Sequence, residues 1–200
     1  YRDVLQPTRA DFNLFEDDRF AYNFGEGRLN VAEVKDSKLD YVLVPFSVNG
    51  FRITSFSPSK KVSGSFTKLY LGSNVESVGE NTVYLSSNFS SLREINVDPA
   101  NKFLTAYKNV LYNIGNDAPY FIPSAITKLE LKPVKVIEKN FIYRLENVEE
   151  IVFAEGTERI EAYAVEKCRN LRTVYVPSSV TYMDKEAIYD CGDKVEVIRK

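Results

Sequence analysis

The strongest constraint on the fold of this chain is a tripeptide pattern, apolar–variable–apolar, that recurs through its C-terminal two-thirds. Six segments carry the pattern: Leu69–Leu71, Ile95–Val97, Leu129–Leu131, Ile151–Phe153, Val174–Val176 and Val195–Val197. The interval between their starts is about 20 to 35 residues, a period typical of solenoids in which each repeat forms one coil. From the third segment onward the interval is nearly constant. We therefore expect a stack of coils with one such strand in each.

Further apolar positions recur at similar distances after each strand. They form two sets, which are Val78, Ile137, Ile160 and Met183, and then Val83, Ile142, Val165 and Ile188. The last two complete copies superpose without a gap, with Ala164 on Ala187 and Cys168 on Cys191. Each coil thus has three apolar corners. Because one copy cannot bury its corners alone, neighbouring coils must stack into a continuous core.

The N-terminal part follows a different pattern. The segment at 1–18 shows neither helical nor strand periodicity, and we treat it as an extension of uncertain shape. From Arg19 apolar residues alternate on both sides of a Gly25-Glu26-Gly27 turn, which predicts a hairpin. Tyr41–Val44 predicts a third strand, and Asn49-Gly50 is a favourable two-residue turn. The predicted units are an extension at 1–18, a β-hairpin cap at 19–57 and a solenoid at 58–200.

The longest interval between copies is explained by an inserted β-hairpin at about residues 101–122. Phe103–Tyr107 and Val110–Asn113 have the composition of strands, and the turn Lys108-Asn109 separates them. We expect this hairpin to leave the solenoid between its second and third coils. A short Gly-Ser loop in place of residues 104–112 should then leave the solenoid folded. Insertions of this kind map to one face and often carry function.

Several segments resemble one family of repeat proteins. They are Val44-Pro-Phe-Ser-Val-Asn-Gly-Phe-Arg-Ile-Thr-Ser-Phe56, Asn109-Val-Leu-Tyr-Asn113, Val176-Pro-Ser-Ser-Val-Thr-Tyr-Met183 and Glu186-Ala-Ile-Tyr-Asp-Cys191. Over about residues 19 to 200 the chain resembles the BspA-type leucine-rich repeat proteins of bacterial surfaces, although Val or Ile stands at the corner where Phe is usual in that family. The resemblance implies a mainly β, right-handed leucine-rich-repeat solenoid with short parallel strands. It also implies a secreted or surface-anchored, adhesin-like module that binds other macromolecules.

The composition excludes most enzyme chemistry. The chain contains no His, no Trp and two Cys, which excludes His-based triads and ordinary zinc clusters. Glu155, Glu158 and Glu161 could be nominated as glycosidase carboxylates, but the repeat places them on the rim, and we interpret them as solubilising surface groups. We expect no enzyme activity, no cofactor and no metal site.

Charge and hydropathy argue against two further classes of partner. The 26 basic and 28 acidic residues give a net charge of -2, with no basic run that could follow a phosphate backbone, so nucleic acid is not expected. No apolar run approaches the roughly 18 residues that span a bilayer, so we expect no membrane insertion of this segment. The chain begins Tyr1-Arg2-Asp3 rather than with a basic and apolar leader, which we interpret as the start of a processed product.

Alternation along the repeated strands predicts an exposed ladder, because the middle side chain of each tripeptide points away from the core. The ladder consists of Tyr70, Asn96, Glu130, Val152, Tyr175 and Glu196, flanked by Lys68 and Lys128. One interpretation is a concave recognition surface, since tyrosines give large contact area at low entropic cost. The other is a solvated sheet face with cross-strand charge pairs such as Glu94 with Lys128.

Two pairs of side chains also have two interpretations each. Tyr107 and Tyr112 of the inserted hairpin form either a sugar- or protein-binding patch or the buried face of the hairpin, and burial is favoured. Cys168 and Cys191 lie at equivalent places in adjacent coils and form either a disulfide or two buried thiols, and thiols are favoured.

These observations lead to one functional prediction. We expect a non-enzymatic module for protein–protein recognition, monomeric, secreted or exposed on a bacterial surface, whose ligand is an extracellular protein or glycan. A carbohydrate-binding module and a structural spacer within a larger surface protein are the alternatives.

Overall fold

The computed structural model describes residues 18–35, 38–58, 66–79, 89–116 and 118–200. The extension predicted at residues 1–18 therefore lies almost entirely outside the described residues, as does the corner residue Val83. No helix in the described part of the chain is long and apolar enough to cross a membrane.

The described residues form short β-strands throughout. In chain order they are β1 (Phe20–Gly25), β2 (Arg28–Val34), β3 (Tyr41–Val44), β4 (Ser47–Val48), β5 (Phe51–Phe56), β6 (Lys68–Leu71), β7 (Ser77–Val78), β8 (Glu94–Val97), β9 (Leu104–Tyr107), β10 (Val110–Asn113), β11 (Pro119–Phe121), β12 (Lys128–Glu130), β13 (Val136–Ile137), β14 (Ile142–Tyr143), β15 (Glu150–Val152), β16 (Arg159–Ile160), β17 (Val165–Glu166), β18 (Thr173–Val176), β19 (Tyr182–Met183), β20 (Ile188–Tyr189) and β21 (Glu196–Arg199).

The C-terminal coils have three sides, and each side is a parallel sheet. The sheets are ordered β12-β15-β18-β21, β13-β16-β19 and β14-β17-β20. In the last two complete coils Ile151 pairs with Val174 and Val165 with Ile188, so that every partner occupies the equivalent position of the next copy. The corner residues Ile142, Ile160 and Val165 are buried. The mainly β solenoid predicted from the repeat is therefore confirmed.

The N-terminal strands join the same stack. β1 and β2 form the predicted antiparallel hairpin, and β2 and β7 both pair in parallel with β5. β3 pairs in parallel with β6, and β6 with β8. Parallel pairing therefore begins at Arg28 in β2, within the segment that we expected to form the cap. In β3, Val42 and Val44 are buried in the same alternation as Leu69 and Leu71, and this strand is the first of the sheet β3-β6-β8.

Three two-residue turns close the antiparallel hairpins. They are Glu26-Gly27, Asn49-Gly50 and Lys108-Asn109, and all six residues have positive φ angles. Positive φ at both central positions belongs to the type I′ turn, whose twist matches that of paired strands. The Lys108-Asn109 turn confirms the predicted hairpin between β9 and β10, which pair antiparallel.

The position of the inserted hairpin differs from the prediction. Its middle strand β10 has β9 on one edge and β11 on the other, and its side chains alternate between two hydrophobic cores. Leu111 packs into the core of the N-terminal coils, whereas Val110 and Tyr112 pack into the core of the C-terminal coils. The hairpin is thus a layer between the two cores and does not leave the solenoid. Burial on both faces follows from three consecutive large apolar residues.

Asn101 anchors this layer to the preceding coil. Its side chain is buried, and Nδ2 donates hydrogen bonds of 2.9 Å to the carbonyl oxygens of Gly72 and Val75. Its Oδ1 accepts hydrogen bonds of 2.8 Å from the backbone N–H groups of Phe103 and Leu104. One side chain therefore satisfies four backbone groups and fixes where the hairpin starts.

Candidate binding surface

The predicted ladder is present, but in two parts. Tyr70 and Asn96 lie on the sheet β3-β6-β8, whereas Glu130, Val152 and Tyr175 lie on the sheet β12-β15-β18-β21. All five side chains are half-buried, and their strand neighbours on the opposite face point into the cores. The ladder is divided because the inserted hairpin separates β8 from β12 along the chain and supplies its own three-stranded sheet between the two cores.

The last rung differs from the prediction. In β21 it is Val197 that pairs with Val174 and Ile198 that pairs with Tyr175, whereas Glu196 pairs with Thr173. The position equivalent to Tyr175 is therefore Ile198, whereas Glu196, which also points outward, takes the flanking position of Thr173. The number of residues between paired positions is the same here as between the two preceding coils. This constant interval keeps β21 in register with β18, whereas the local Val-Glu-Val pattern predicts a different register.

The first part of the ladder belongs to a surface that we call the N-terminal sheet face. It is formed by the outward side chains of Tyr41, Leu43, Lys68, Tyr70, Glu94 and Asn96. Tyr41 is 56% exposed and Leu43 is 47% exposed, although both lie on a paired strand. The Tyr41 and Tyr70 rings meet edge to face, with centroids 6.2 Å apart. The large, solvent-exposed side chains of Tyr41 and Leu43 thus lie beside Tyr70 at one end of this sheet.

Tyr41 and Leu43 are not part of the ladder predicted from the sequence. The alternation of Tyr41-Val42-Leu43-Val44, whose buried valines match Leu69 and Leu71, is the signal that identifies them. The predicted ladder omits them because the sequence pattern places this strand in the cap.

Polar groups border the apolar end of the N-terminal sheet face. Lys68 Nζ lies 3.6 Å from Glu94 Oε2, and Asn96 Nδ2 donates a 2.7 Å hydrogen bond to Glu94 Oε1. The charge pair expected between Glu94 and Lys128 is therefore replaced by one between Glu94 and Lys68, because β8 pairs with β6. Beyond Asn96, a groove of about 240 Å³ runs towards the inserted hairpin and Ile114.

The second part of the ladder is occupied by charge interactions. Glu130 lies 3.4 Å from the ammonium of Lys128 and 3.8 Å from that of Lys108, which belongs to the hairpin turn. The ammonium of Lys200 lies 3.9 Å from the centroid of the Tyr175 ring. This sheet face fits the solvated interpretation, since none of Glu130, Val152 and Tyr175 is as exposed as Tyr41 or Leu43.

The two hairpin tyrosines have different environments. Tyr107 is 38% exposed, whereas Tyr112 is fully buried. The Lys132 backbone N–H donates a 3.1 Å hydrogen bond to Tyr112 Oη, and the Lys132 ammonium lies 4.4 Å from the ring centroid. Tyr112 therefore cannot contribute to a binding patch, which corrects its nomination as a surface residue. Its ring fills the space between the hairpin and the C-terminal core.

The carboxylates considered for glycoside cleavage lie on the surface. Glu158 lies 3.7 Å from the Lys135 ammonium, Glu161 lies 2.9 Å from the Arg159 guanidinium, and Glu155 accepts a hydrogen bond from Ser178. Among the described residues, no cluster of three or more His, Cys, Asp or Glu side chains could hold a metal ion.

The coils, their three parallel sheets and their period define a leucine-rich-repeat solenoid. A family described as "BspA type Leucine rich repeat region" matches residues 63–194 in six copies. The chain therefore belongs to the BspA-type leucine-rich repeat family, as its sequence motifs predicted. No curated protein matches the chain.

Solved structures with similar folds are all distant in sequence. A leucine-rich repeat protein from Bacteroides ovatus is 16% identical, with a TM-score of 0.51, over 90% of this chain and 55% of that protein. The pneumococcal vaccine antigen PcpA is 16% identical, with a TM-score of 0.42, over 81% and 47%. A leucine-rich cell surface protein from Faecalibacterium prausnitzii is 16% identical, with a TM-score of 0.35, over 82% and 60%. The chain thus spans only about half the length of these three solved proteins, and the first of them supports the fold.

Proposed function

We propose that this chain is a non-enzymatic recognition module, secreted or exposed on a bacterial surface, that binds an extracellular protein through its N-terminal sheet face. The observation that carries the proposal is the exposure of Tyr41 and Leu43 beside Tyr70 on a regular parallel sheet. Membership of the BspA-type family, whose better-known members are surface adhesins, supports the location.

The chemistry of this face suits a protein partner. Contiguous exposed apolar side chains are uncommon on monomeric proteins and often mark interaction sites. Tyrosine rings supply large contact area with few rotatable bonds, and aromatic residues are enriched at the centre of interfaces. Lys68, Glu94 and Asn96 provide a polar border, which is the arrangement of an apolar centre with a polar rim.

The carbohydrate-binding alternative has less support at the hairpin. It relied on Tyr107 and Tyr112 as a pair of rings, and only Tyr107 is accessible. A glycan that stacked on Tyr41 and Tyr70 would use the same face as a protein partner, and so the choice between the two ligand classes is made by experiment.

The full chain is immobilised and probed with a panel of purified extracellular host proteins and, in parallel, with a glycan array. The test variant is Tyr41→Ala/Tyr70→Ala. The matched control is Tyr163→Ala/Tyr189→Ala, which removes another edge-to-face tyrosine pair, with centroids 4.9 Å apart, that lies outside the N-terminal sheet face.

We expect the test variant to bind its protein ligand at least about tenfold more weakly, since aromatic anchors commonly contribute about 2 kcal/mol or more. The control should bind within about twofold of the wild type. Equal binding by the wild type and the test variant would refute the proposed surface. Binding to glycans alone would favour the carbohydrate alternative, and no binding in either panel would favour a spacer.

A further inference from the structure

Cys168 and Cys191 face each other across two stacked coils. The strands that precede them are paired in parallel, Val165 with Ile188 and Glu166 with Tyr189. The alignment continues beyond the strands, because the Lys167 N–H donates a 3.2 Å hydrogen bond to the Tyr189 carbonyl. Lys167 and Asp190 then share a left-handed backbone conformation, with φ of 60° and 48°. The two cysteines that follow are therefore separated by about one strand spacing, roughly 4.8 Å, inside the range of Cα distances that disulfides adopt.

The Cys191 side chain is directed towards the coil that carries Cys168. The Cys191 thiol lies 3.6 Å from the carbonyl oxygen of Val165, which belongs to the coil that carries Cys168. The Cys168 thiol lies 3.7 Å from the carbonyl oxygen of Glu166 in that same coil. When Cys191 ionises, the Cys168 S–H is the neighbouring donor. This hydrogen bond lowers the pKa of Cys191 and raises that of Cys168, whose burial raises it further.

The two thiols differ in access to solvent. Cys168 is fully buried, whereas Cys191 is only partly buried. Cys191 also lines an open pocket of about 340 Å³, together with the apolar side chains of Met183, Ile188 and Val195. A small reagent can therefore reach Cys191 from solvent, while Cys168 can be reached only through the sulfur of Cys191.

We propose that Cys191 and Cys168 form an oxidation site in which Cys191 is the attacking thiol and Cys168 the resolving thiol, and that the oxidant is a small-molecule disulfide. The Cys191 thiolate attacks one sulfur of the oxidant, which forms a mixed disulfide and releases one thiolate. Cys168 then loses its proton and attacks Cys191 Sγ, which releases the second thiolate. Two protein thiols are oxidised to one disulfide, and their two protons and two electrons pass to the oxidant, which leaves as two thiols.

The disulfide would join the last two complete coils. A covalent bridge between the segments that follow β17 and β20 would restrict the separation of these two coils. By the usual dependence on loop length, the bridge should raise the thermal midpoint by about 7 to 14 °C. The chemistry does not depend on the recognition function proposed above, and a secreted location would supply an oxidising environment.

The test treats the full chain with oxidised glutathione under native conditions and follows the intact mass. The wild type should lose the mass of two hydrogens and remain monomeric, and dithiothreitol should reverse the change and the gain in thermal midpoint. Cys168→Ser should stop at a stable glutathione adduct on Cys191, because the resolving thiol is missing. Cys191→Ser should remain unmodified, because Cys168 is inaccessible.

Cys168→Ala serves as a second resolving-thiol variant if a buried hydroxyl at residue 168 prevents folding, and circular dichroism checks the fold of each variant. A stable adduct on the wild type, a disulfide-linked dimer or modification of Cys191→Ser in its folded state would each overturn the proposal. Binding of the protein ligand by the N-terminal sheet face is measured separately, so that the failure of one proposal is distinguishable from the failure of the other.

Discussion

The inserted hairpin can be tested as a structural joint by truncating one side chain at a time. Tyr112 is the largest fully buried side chain among the described residues, and it faces the C-terminal core. Tyr107 lies on the preceding strand of the same hairpin and is exposed. The substitutions Tyr112→Ala and Tyr107→Ala therefore remove the same atoms from two environments.

The expected loss of stability follows from the burial of the ring. A tyrosine that buries about 150–250 Å² gains roughly 4–6 kcal/mol at about 25 cal/mol per Å². Large-to-small changes of aromatic residues in other cores cost about 3–5 kcal/mol, which we expect for Tyr112→Ala. Tyr112→Phe keeps the ring but leaves the Lys132 N–H without its acceptor, at a cost of about 1–3 kcal/mol. Tyr107→Ala should cost less than about 0.5 kcal/mol, as is usual for surface positions.

The measurement is a urea titration of each variant, followed by circular dichroism and fitted for the free energy of unfolding. Reaction of the buried Cys168 with a thiol reagent reports locally on the C-terminal core and should begin at lower urea in Tyr112→Ala. A loss below about 1 kcal/mol for Tyr112→Ala, or equal losses for Tyr112→Ala and Tyr107→Ala, would refute the position assigned to the hairpin. If the assignment is right, the Gly-Ser replacement of residues 104–112 should unfold the chain rather than leave the solenoid intact.

Two further predictions concern the anchor of the hairpin and the thiol pair. Asn101→Ala should lower the free energy of unfolding by at least about 2 kcal/mol, because it leaves buried backbone groups without partners. The control is Asn116→Ala, at an exposed asparagine with a similar local hydrogen bond. It should cost less than about 0.5 kcal/mol in the same urea titration. Cys168→Ala should move the pH midpoint for alkylation of Cys191 upwards, towards the ordinary thiol value of about 8.5. The reason is that the lowered pKa of Cys191 depends first on the hydrogen bond from Cys168. An unchanged midpoint would show that the two thiols do not interact.

The C-terminal coils were predictable from the sequence because their period is strict. Where successive copies superpose without a gap, strand pairing and the equivalent places of the two cysteines followed from that superposition. The last strand was placed incorrectly because Lys194 stands where Leu171 occupies the preceding coil. Because this apolar residue is missing, the local apolar–variable–apolar pattern at Val195 was used to place the strand. Only the repeat period gives the observed register of β21 with β18.

The N-terminal half was harder to predict because its apolar residues have more than one role. Tyr41–Val44 looks like any short strand in isolation, and only its parallel pairing with β6 makes Tyr41 and Leu43 part of an exposed face. The expectation of binding at that face rests on the exposure of these two side chains. Their exposure could not be predicted from the sequence, because it depends on which strands are paired.

The position of the hairpin between two cores follows from the lack of a polar residue in the middle of β10, which the repeat period does not reveal. A hairpin that projects into solvent needs alternation, with one polar face along each strand. Val110-Leu111-Tyr112 has no polar position, so it is stable only if both of its faces are covered. The preceding coils cover the face that carries Leu111, and the following coils cover the face that carries Tyr112. The irregular interval is therefore the place where two stacks of coils, each with its own core, are held together by a shared layer.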